Sequence, residues 1–356
     1  MMPTTTDPTR LSELPIIQAP MAGAAGPALA AAVTRAGGLG FLAAGYRSAQ
    51  AMGAEIDELR ALIGDAPFGV NAFMPHPAPT PAEADATRRY AGSLARAAAR
   101  YGGTVGTPAP GSERDDWDAK FELLLARPVP VVSFTFGLPA MAQVTALKAA
   151  GTRTVATVTT PEEARVAVGH GVDALCVQGA EAGGHQGGFG NPDAPAPYGL
   201  LTLLTLIAGQ TELPLIAAGG LMTGRQIEAV RLAGASAAQL GTAFLRCPES
   251  VAPAAHKAAL ADPAFDRSVL TRAFSGRWAR GLHNGFVARH EAEAPGVYPY
   301  VHHLVSPIRK AAAARGEADG LALWAGQGWR LAREEPAAEV IHRLVDEMAA
   351  ARKACA

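Results

Sequence analysis

Cysteine is scarce in this chain. Only Cys176, Cys247 and Cys355 occur in 356 residues, and no two of them share a CxxC or metal-ligand spacing. A disulfide framework and a thiolate metal centre are therefore excluded as organising features, no metal is expected, and a reducing cytoplasmic compartment is the natural setting. Cys176 lies within an apolar run and reads as a small core residue. Long hydrophobic stretches are also missing. Nothing approaches about eighteen uninterrupted apolar residues, so no transmembrane helix is expected. The opening MMPTTTDPTR has no apolar core of the signal-peptide kind, and residues 1–14 read as a flexible tail. An excess of either charge is absent as well. With 31 Lys and Arg against 32 Asp and Glu, the formal net charge is −1, and nothing draws the whole protein to nucleic acid or an anionic membrane. A local basic pocket for a phosphate is compatible with that balance.

What the chain has in quantity is apolar residues, 49%, and glycine, 39 in number, enough for a large core with many tight turns. Short apolar runs alternate with alanine-rich amphipathic segments. The runs begin at Pro15 (PIIQAPM), Gly38 (GLGFLAAG), Phe68 (FGVNAFM), Val131 (VVSFTFG), Arg153 (RTVATVTT), Val172 (VDALCVQG), Leu213 (LPLIAAGG) and Ala237 (AAQLGTAF), eight in all. Several segments between them open after Ser, Thr or Pro and stop at Gly, and Thr160 can cap a helix with Glu163 three residues on. Continuous apolar strands separated by helices form a parallel sheet covered on both faces. Eight units predict an α/β fold of the closed (β/α)8 TIM-barrel kind, with an open doubly wound sheet as the alternative. Gly, Asn, Gln and Thr gather at the C-terminal ends of the runs, where barrel enzymes place their sites. The rhythm breaks twice, from about Pro75 to Pro130 and from Phe274 to about Gly328, before a last helix near Ala337 to Met348. The expected organisation is a barrel over 15–273, followed by a substrate-side insertion and C-terminal helices over 274–356.

The sixth run leads into AEAGGHQGGFG, Ala180 to Gly190. Glycines on both sides of His185 let the backbone approach a flat or anionic ligand, and a histidine there can donate, accept or move a proton near neutral pH. A solvent-exposed loop histidine is the plain alternative. The last two runs end in Gly219-Gly220 and Gly241-Thr242. Freed backbone N–H groups and the Thr242 hydroxyl suit a phosphate monoester, which barrels commonly bind after strands seven and eight. Ordinary turns would use the same glycines. Strand one ends in APMAG, whose Met21 and Ala22 could lie against an aromatic ring system or fill core. Asn71 and Gln178 are amides inside apolar runs. Burying an unpaired amide costs on the order of a few kcal/mol, so each needs a partner, from a ligand or from loop backbone. His302 and His303 are adjacent on one strand or loop, which makes a poor metal pair.

In this order APMAG, GGLG, GVNAF, VQGAEAGGHQGG, AAGG and QLGTAF resemble the nitronate monooxygenase family, formerly called 2-nitropropane dioxygenases. The similarity runs from about Pro15 to Phe244, and GVYPY followed by WAGQG (Trp324 to Gly328) is similar to the bacterial class I branch. The resemblance implies an FMN-dependent TIM barrel that oxidises alkyl nitronates, such as propionate 3-nitronate, with O2. The products would be a carbonyl compound and nitrite or a related nitrogen oxide, the role detoxification, and a homodimer is allowed. It implies FMN contacts at Met21, Ala22, Asn71, Gln178, Gly183, Gly220, Gln239, Gly241 and Thr242, and a His185 that acts as catalytic base or holds the anion. Many relatives have methionine between the Gln and Gly of the eighth strand; this chain has Leu240, a volume-conserving change. Tyr298, Tyr300 and Lys310 are similar to substrate-side residues of class I, at a different spacing. Flavin-dependent enoyl-acyl-carrier-protein reductases share the APM and EAGGH motifs, so an NAD(P)H reductase of an enoyl thioester or quinone is the competing function. No GxGxxG follows the first strand, although barrel reductases can bind nicotinamide without one. A phosphosugar-binding barrel without flavin would keep the phosphate cup and leave His185 an ordinary loop residue.

Overall fold

The computed structural model describes residues 7–355. Its strands are β1 (Ile16–Gln18), β2 (Phe41–Ala43), β3 (Gly69–Phe73), β4 (Val131–Thr135), β5 (Arg153–Val158), β6 (Ala174–Gln178), β7 (Gly184–His185), β8 (Leu215–Ala218), β9 (Ala237–Leu240), β10 (Ser268–Thr271) and β11 (Ala279–Leu282). Eight of them form one parallel sheet in the order β1-β9-β8-β6-β5-β4-β3-β2. Its ends meet where Ile17 bridges Leu39, with Leu39 N donating to Ile16 O and Gln18 N to Leu39 O, both at 3.0 Å. The sheet is a TIM barrel, and each strand falls within one of the eight apolar runs.

Helices wrap it: α1 (Pro27–Arg35), α2 (Ala49–Ile63), α3 (Pro81–Ser93), α4 (Ala95–Tyr101), α5 (Trp117–Ala126), α6 (Met141–Ala149), α7 (Pro161–Gly169), α8 (Leu200–Ala208), α9 (Gly224–Leu232), α10 (Ala254–Ala259), α11 (Gly285–His290), α12 (Tyr300–Ala314) and α13 (Ala337–Cys355). Ser48, Thr80, Thr160 and Thr223 cap α2, α3, α7 and α9 through their side chains. The expected Thr160–Glu163 cap is present in one direction: Glu163 N donates to Thr160 Oγ1 at 3.2 Å. The Glu163 carboxylate turns away and accepts from Thr159 N and Phe189 N, both at 2.6 Å, so it ties α7 to the chain just past His185. Among the described residues no helix is long and apolar enough to cross a membrane.

Side-chain alternation divides the barrel interior into two tiers. Ile17, Phe41, Val131, Val155, Cys176, Ile216 and Ala237 fill the lower tier, with Leu11 of the N-terminal segment buried against them. Gly69 fits here because a Cβ would lie 2.2 Å from the Phe41 ring. Two residues further along their strands, the same inward parity carries Asn71, Ser133, Thr157, Gln178 and Gln239. The barrel is therefore greasy at one end and amide- and hydroxyl-lined at the other.

The two breaks in the alternation meet in space. Tyr90, Leu94 and Tyr101 of the first pack with Phe274, Phe286, Val301, Leu304 and Ile308 of the second in a hydrophobic cluster of their own. Within the first break, α3 and α4 are jointed at Leu94. Beyond this cap, α13 packs against α9 and α1, the place of the barrel's eighth helix. Short strands β10, β11 and β7 make a second, antiparallel sheet between cap and barrel.

Candidate active site

Strands β6, β8 and β9 end in a ring of close backbone turns. Gly219 and Gly220 hold φ of +133° and +67°, which favour glycine. A Cβ on Gly183 would lie 2.4 Å from Gly326 N, and one on Gly326 would lie 3.3 Å from Gly183 N and 3.5 Å from Gly220 N. Those turns converge on Thr242, whose Oγ1 accepts from Gly326 N at 3.0 Å. The N–H groups of Gly183 and Gly220 have no acceptor among the described residues. Gly241 is different. Its φ is −108°, and a Cβ would meet Met21 Sδ at 3.4 Å and Ala19 Cβ at 3.5 Å, ordinary contacts. Neither a turn nor packing demands glycine there. Converging free N–H donors, a hydroxyl proton, and open space beside Met21 fit a terminal phosphate leading to an aromatic ring system.

The polar tier lies under that space. Asn71 Nδ2 donates to Ser133 O at 3.2 Å, Ser133 Oγ at 2.9 Å and Thr135 Oγ1 at 2.9 Å. A carbonyl can only accept, so Nδ2 must face Ser133 and Oδ1 is left for the barrel mouth. Gln178 serves the His185 loop at both ends of its amide: Nε2 donates to His185 O at 3.1 Å, and Gly187 N donates to Oε1 at 2.7 Å. Loop backbone is thus a partner for Gln178, and one Nε2 proton remains. Gln239 Nε2 reaches only Cys176 Sγ, at 3.4 Å. Burial pushes the Cys176 thiol up to about 12, as suits a core residue. Met21 is half-buried and Ala22 exposed at the mouth.

His185 is held in place. It lies on β7, opposite Ala279 of β11, not on an exposed loop. Its Nε2 is 2.9 Å from Ser275 Oγ, which also lies 3.2 Å from Arg277 O and accepts from Arg277 N at 3.3 Å. Every group is satisfied when Ser275 gives its proton to the Arg277 carbonyl and accepts one from His185 Nε2–H. That tautomer leaves the Nδ1 lone pair free. Burial, with the positive charges of Arg277 and Arg309, pushes His185 down to about 3, so the ring is neutral at physiological pH.

Around it stands an aromatic chamber: Phe136 at 5.8 Å, Tyr298 at 5.8 Å and Trp324 at 5.4 Å between ring centroids. Trp324 is held by His256 Nε2, which donates to its carbonyl at 3.0 Å. Arg277 lies 4.0 Å over the Phe136 ring and donates to Gln186 O at 3.0 Å and to Gly188 O, leaving Nη1 without a partner. Arg309 donates to His302 Nδ1 at 3.1 Å and Ser306 Oγ at 2.9 Å, leaving Nε free. An arginine cannot accept, so His302 is neutral too, and it stacks on Tyr46 at 3.8 Å. Neither guanidinium forms an ion pair among the described residues. Burial nonetheless leaves Arg277 at about 10, still charged at pH 7. Tyr46 in turn sits at φ +62°, pinned by its N–H to Asp115 at 2.8 Å, and Asp115 pairs with the fully buried Lys120 at 2.7 Å.

Of the cap residues singled out by sequence, only some reach this chamber. Tyr298 does. Tyr300 instead donates to Glu113 at 2.9 Å, and Lys310, the residue after Arg309, is exposed on another face of α12. His302 and His303 lie on a helix, not on a strand or loop; their rings stand at 89°, and only His302 faces Tyr46. Sequence reasoning missed Tyr46, Phe136, Ser275, Arg277 and Arg309. Tyr46 and Phe136 each follow a strand's C-terminal end, a usable signal. His302, Ser306 and Arg309 share the i, i+4, i+7 spacing of one helix face, legible once α12 is known to be a helix.

The fold and site define a TIM-barrel enzyme whose glycine-walled cup, fit for a phosphate, adjoins a positively charged aromatic chamber. The sequence profile described as nitronate monooxygenase matches residues 8–347. The nitronate monooxygenase of Pseudomonas aeruginosa is 45% identical over 94% of this chain and 96% of its own length, and that of Paraburkholderia phytofirmans is 41% identical over 94% and 92%. The crystallised nitroalkane oxidase of Streptomyces ansochromogenes superposes with a TM-score of 0.94 at 53% identity, covering 98% of this chain and 99% of that one. FabK from Thermotoga maritima shares the fold at a TM-score of 0.75 and 26% identity, over 98% and 97%. The chain belongs to the nitronate monooxygenase family, flavin-dependent oxidoreductases.

Proposed function

We propose that this enzyme oxidises alkyl nitronates, such as propionate 3-nitronate, with FMN as redox group and O2 as oxidant, giving a carbonyl compound and nitrite or a related nitrogen oxide. The observation that carries the reading is the pair of guanidiniums without an ion pair, Arg277 and Arg309, which keep buried, unpartnered N–H groups and lie near enough to His185 for their charges to depress its pKa. A nitronate is a planar two-oxygen anion, the shape a guanidinium donates to best. Gly183, Gly220 and Thr242 would hold the FMN phosphate, Met21 and Ala22 would line its ring, and Asn71, Gln178, Gln239 and Gly241 complete the contacts. Bound FMN supplies a one-electron acceptor for the nitronate, whose carbon radical O2 then captures.

His185 orients the anion in this reading. A ring whose pKa is about 3 is a poor base for a carbon-bound proton, so preformed nitronate is the favoured substrate over neutral nitroalkane. Purified protein should be yellow, release FMN and not FAD on heating, and change its flavin absorbance spectrum on anaerobic mixing with propionate 3-nitronate. Bleaching by NADH alone would instead favour the reductase. A colourless protein, even after FMN addition, would favour the phosphosugar barrel. His185→Asn should keep flavin and fold while slowing anaerobic reduction by nitronate; an unchanged rate on both nitronate and nitroalkane removes His185 from the chemistry.

A further inference from the structure

Phe136 stands where two spaces nearly touch. It directly follows β4 and takes φ +76°, a conformation side-chain-bearing residues rarely adopt. It is fixed there by Phe136 N donating to Gly187 O at 2.9 Å, on the loop that carries His185. Its buried ring meets Phe73 at 4.5 Å and Tyr298 at 5.1 Å and presents an edge to His185. The same residue lines a separate cavity of about 330 Å³ with Met74, Pro75, Trp117, Leu138 and Pro139, which opens to solvent near Asp118. Those five side chains are apolar, Asp118 and Gln143 also line the cavity, and none of its lining side chains is a cation. Such a lining suits an alkyl chain better than a second anion.

We infer that Phe136 is a specificity-determining wall, which confines the substrate to short nitronates by closing the chamber off from this solvent-open cavity. The inference rests on the proposed reaction, but the wall itself is a property of the protein. A strained backbone held by a loop hydrogen bond keeps the ring from swinging aside, so chain length is limited by geometry. Removing the ring would join chamber and cavity and admit the unbranched alkyl tail of a longer substrate, with its anionic head left beside His185.

The test uses the flavin-loaded enzyme and straight-chain carboxylates from propionate to octanoate, unreactive planar anions shaped like a nitronate head. Binding is read from the fluorescence of Trp117 in the cavity wall and Trp324 beside His185. In wild type, affinity should not rise with chain length. In Phe136→Ala, each methylene past the wall should tighten binding about fourfold, the transfer value of a buried CH2. Phe136→Leu, a milder change for folding, should shift the ladder in the same direction by less. Adding Leu138→Trp to Phe136→Ala fills the cavity and should cancel the gain. Parallel ladders in wild type and both single variants would overturn the wall. So would a gain that Leu138→Trp leaves intact. The ratio of kcat/KM for the nitronates of 1-nitrohexane and nitroethane should rise at least tenfold in Phe136→Ala. Absence of turnover on any nitronate would sink the proposed reaction, while the carboxylate ladder would still decide the wall.

Discussion

Gly241→Ala separates what the protein needs from what its ligand needs. The φ of −108° is open to any residue, and the new methyl would touch Met21 Sδ at 3.4 Å and Ala19 Cβ at 3.5 Å without overlap. The apoprotein should therefore change in stability by no more than about 0.5 kcal/mol, the usual range for an unstrained substitution. The methyl does occupy the gap between the ends of β1 and β9, where a phosphate would draw close to the backbone. Losing one hydrogen bond to a charged oxygen costs about 1.5–3 kcal/mol, so FMN should bind about 10- to 150-fold more weakly. Gly183→Ala is the contrast. Its Cβ would lie 2.4 Å from Gly326 N and 2.5 Å from Ala325 C, so it must displace the Trp324–Gly328 turn and should lower the stability of the apoprotein itself, by about 1–3 kcal/mol. Thermal unfolding of flavin-free protein and fluorescence titration with FMN measure the two quantities independently. Undiminished FMN affinity in Gly241→Ala would show that the phosphate is held elsewhere.

Thr242→Ala should also weaken FMN retention, by roughly tenfold or more, since it removes a hydroxyl donor and frees the Gly326 turn it now fixes at 3.0 Å; flavin release on dilution is the measurement. Ser275→Ala removes the partner that holds His185 Nε2–H, so the rate of anaerobic flavin reduction should fall while FMN content stays constant; Ser275→Thr, which keeps the hydroxyl, should restore much of it. His256 is buried and pushed down to about 4 by desolvation, which outweighs its hydrogen bond to the Trp324 carbonyl. Its folded pKa is lower than its unfolded one, so the unfolded chain binds the extra proton and the associated stability is complete above about pH 6.5 and lost as pH falls toward 4. His256→Gln should flatten that acid limb by up to about 1.4 kcal/mol per pH unit, read from urea midpoints between pH 7.5 and 4.5, and an unaltered slope would contradict the assignment.

Barrel strands were legible because burial on both faces writes them as uninterrupted apolar runs, and the turn glycines mark their ends. The amides betrayed themselves by the same logic: Asn71 and Gln178 break apolar runs at inward positions, and both are hydrogen-bonded where they fall. The chamber was harder to read. Arg277, Arg309 and Ser275 come from the cap, where no single period governs the chain; Arg277 and Ser275 reach the His185 loop across 89 residues or more, as His185 with Ser275 over 90, and Arg309 bonds only within α12. Tyr300 and Lys310, set beside class I residues by resemblance at a different spacing, lie off the chamber in this structure because neighbouring helix positions point to different faces. Lys120 was invisible for another reason: a lysine on an amphipathic helix reads as solvent-facing, and only Asp115, from the turn before it, allows its burial.

The charge arrangement leads to one more consequence. Arg277 and Arg309 find neutral acceptors in carbonyls, a serine and His302, and a favourable aromatic face in Phe136, yet among the described residues no carboxylate pairs directly with either. The chamber therefore carries a positive potential before any ligand enters, and that potential is part of what keeps His185 unprotonated. An arriving anion relieves both costs together. It supplies the acceptor for the stranded N–H groups, and its charge raises the pKa of His185 back toward the ordinary range, favouring proton uptake onto Nδ1. A neutral nitroalkane of the same shape does neither. On the proposed reaction the site would discriminate by charge at the binding step, and His185 would become a useful donor only with the anion in place.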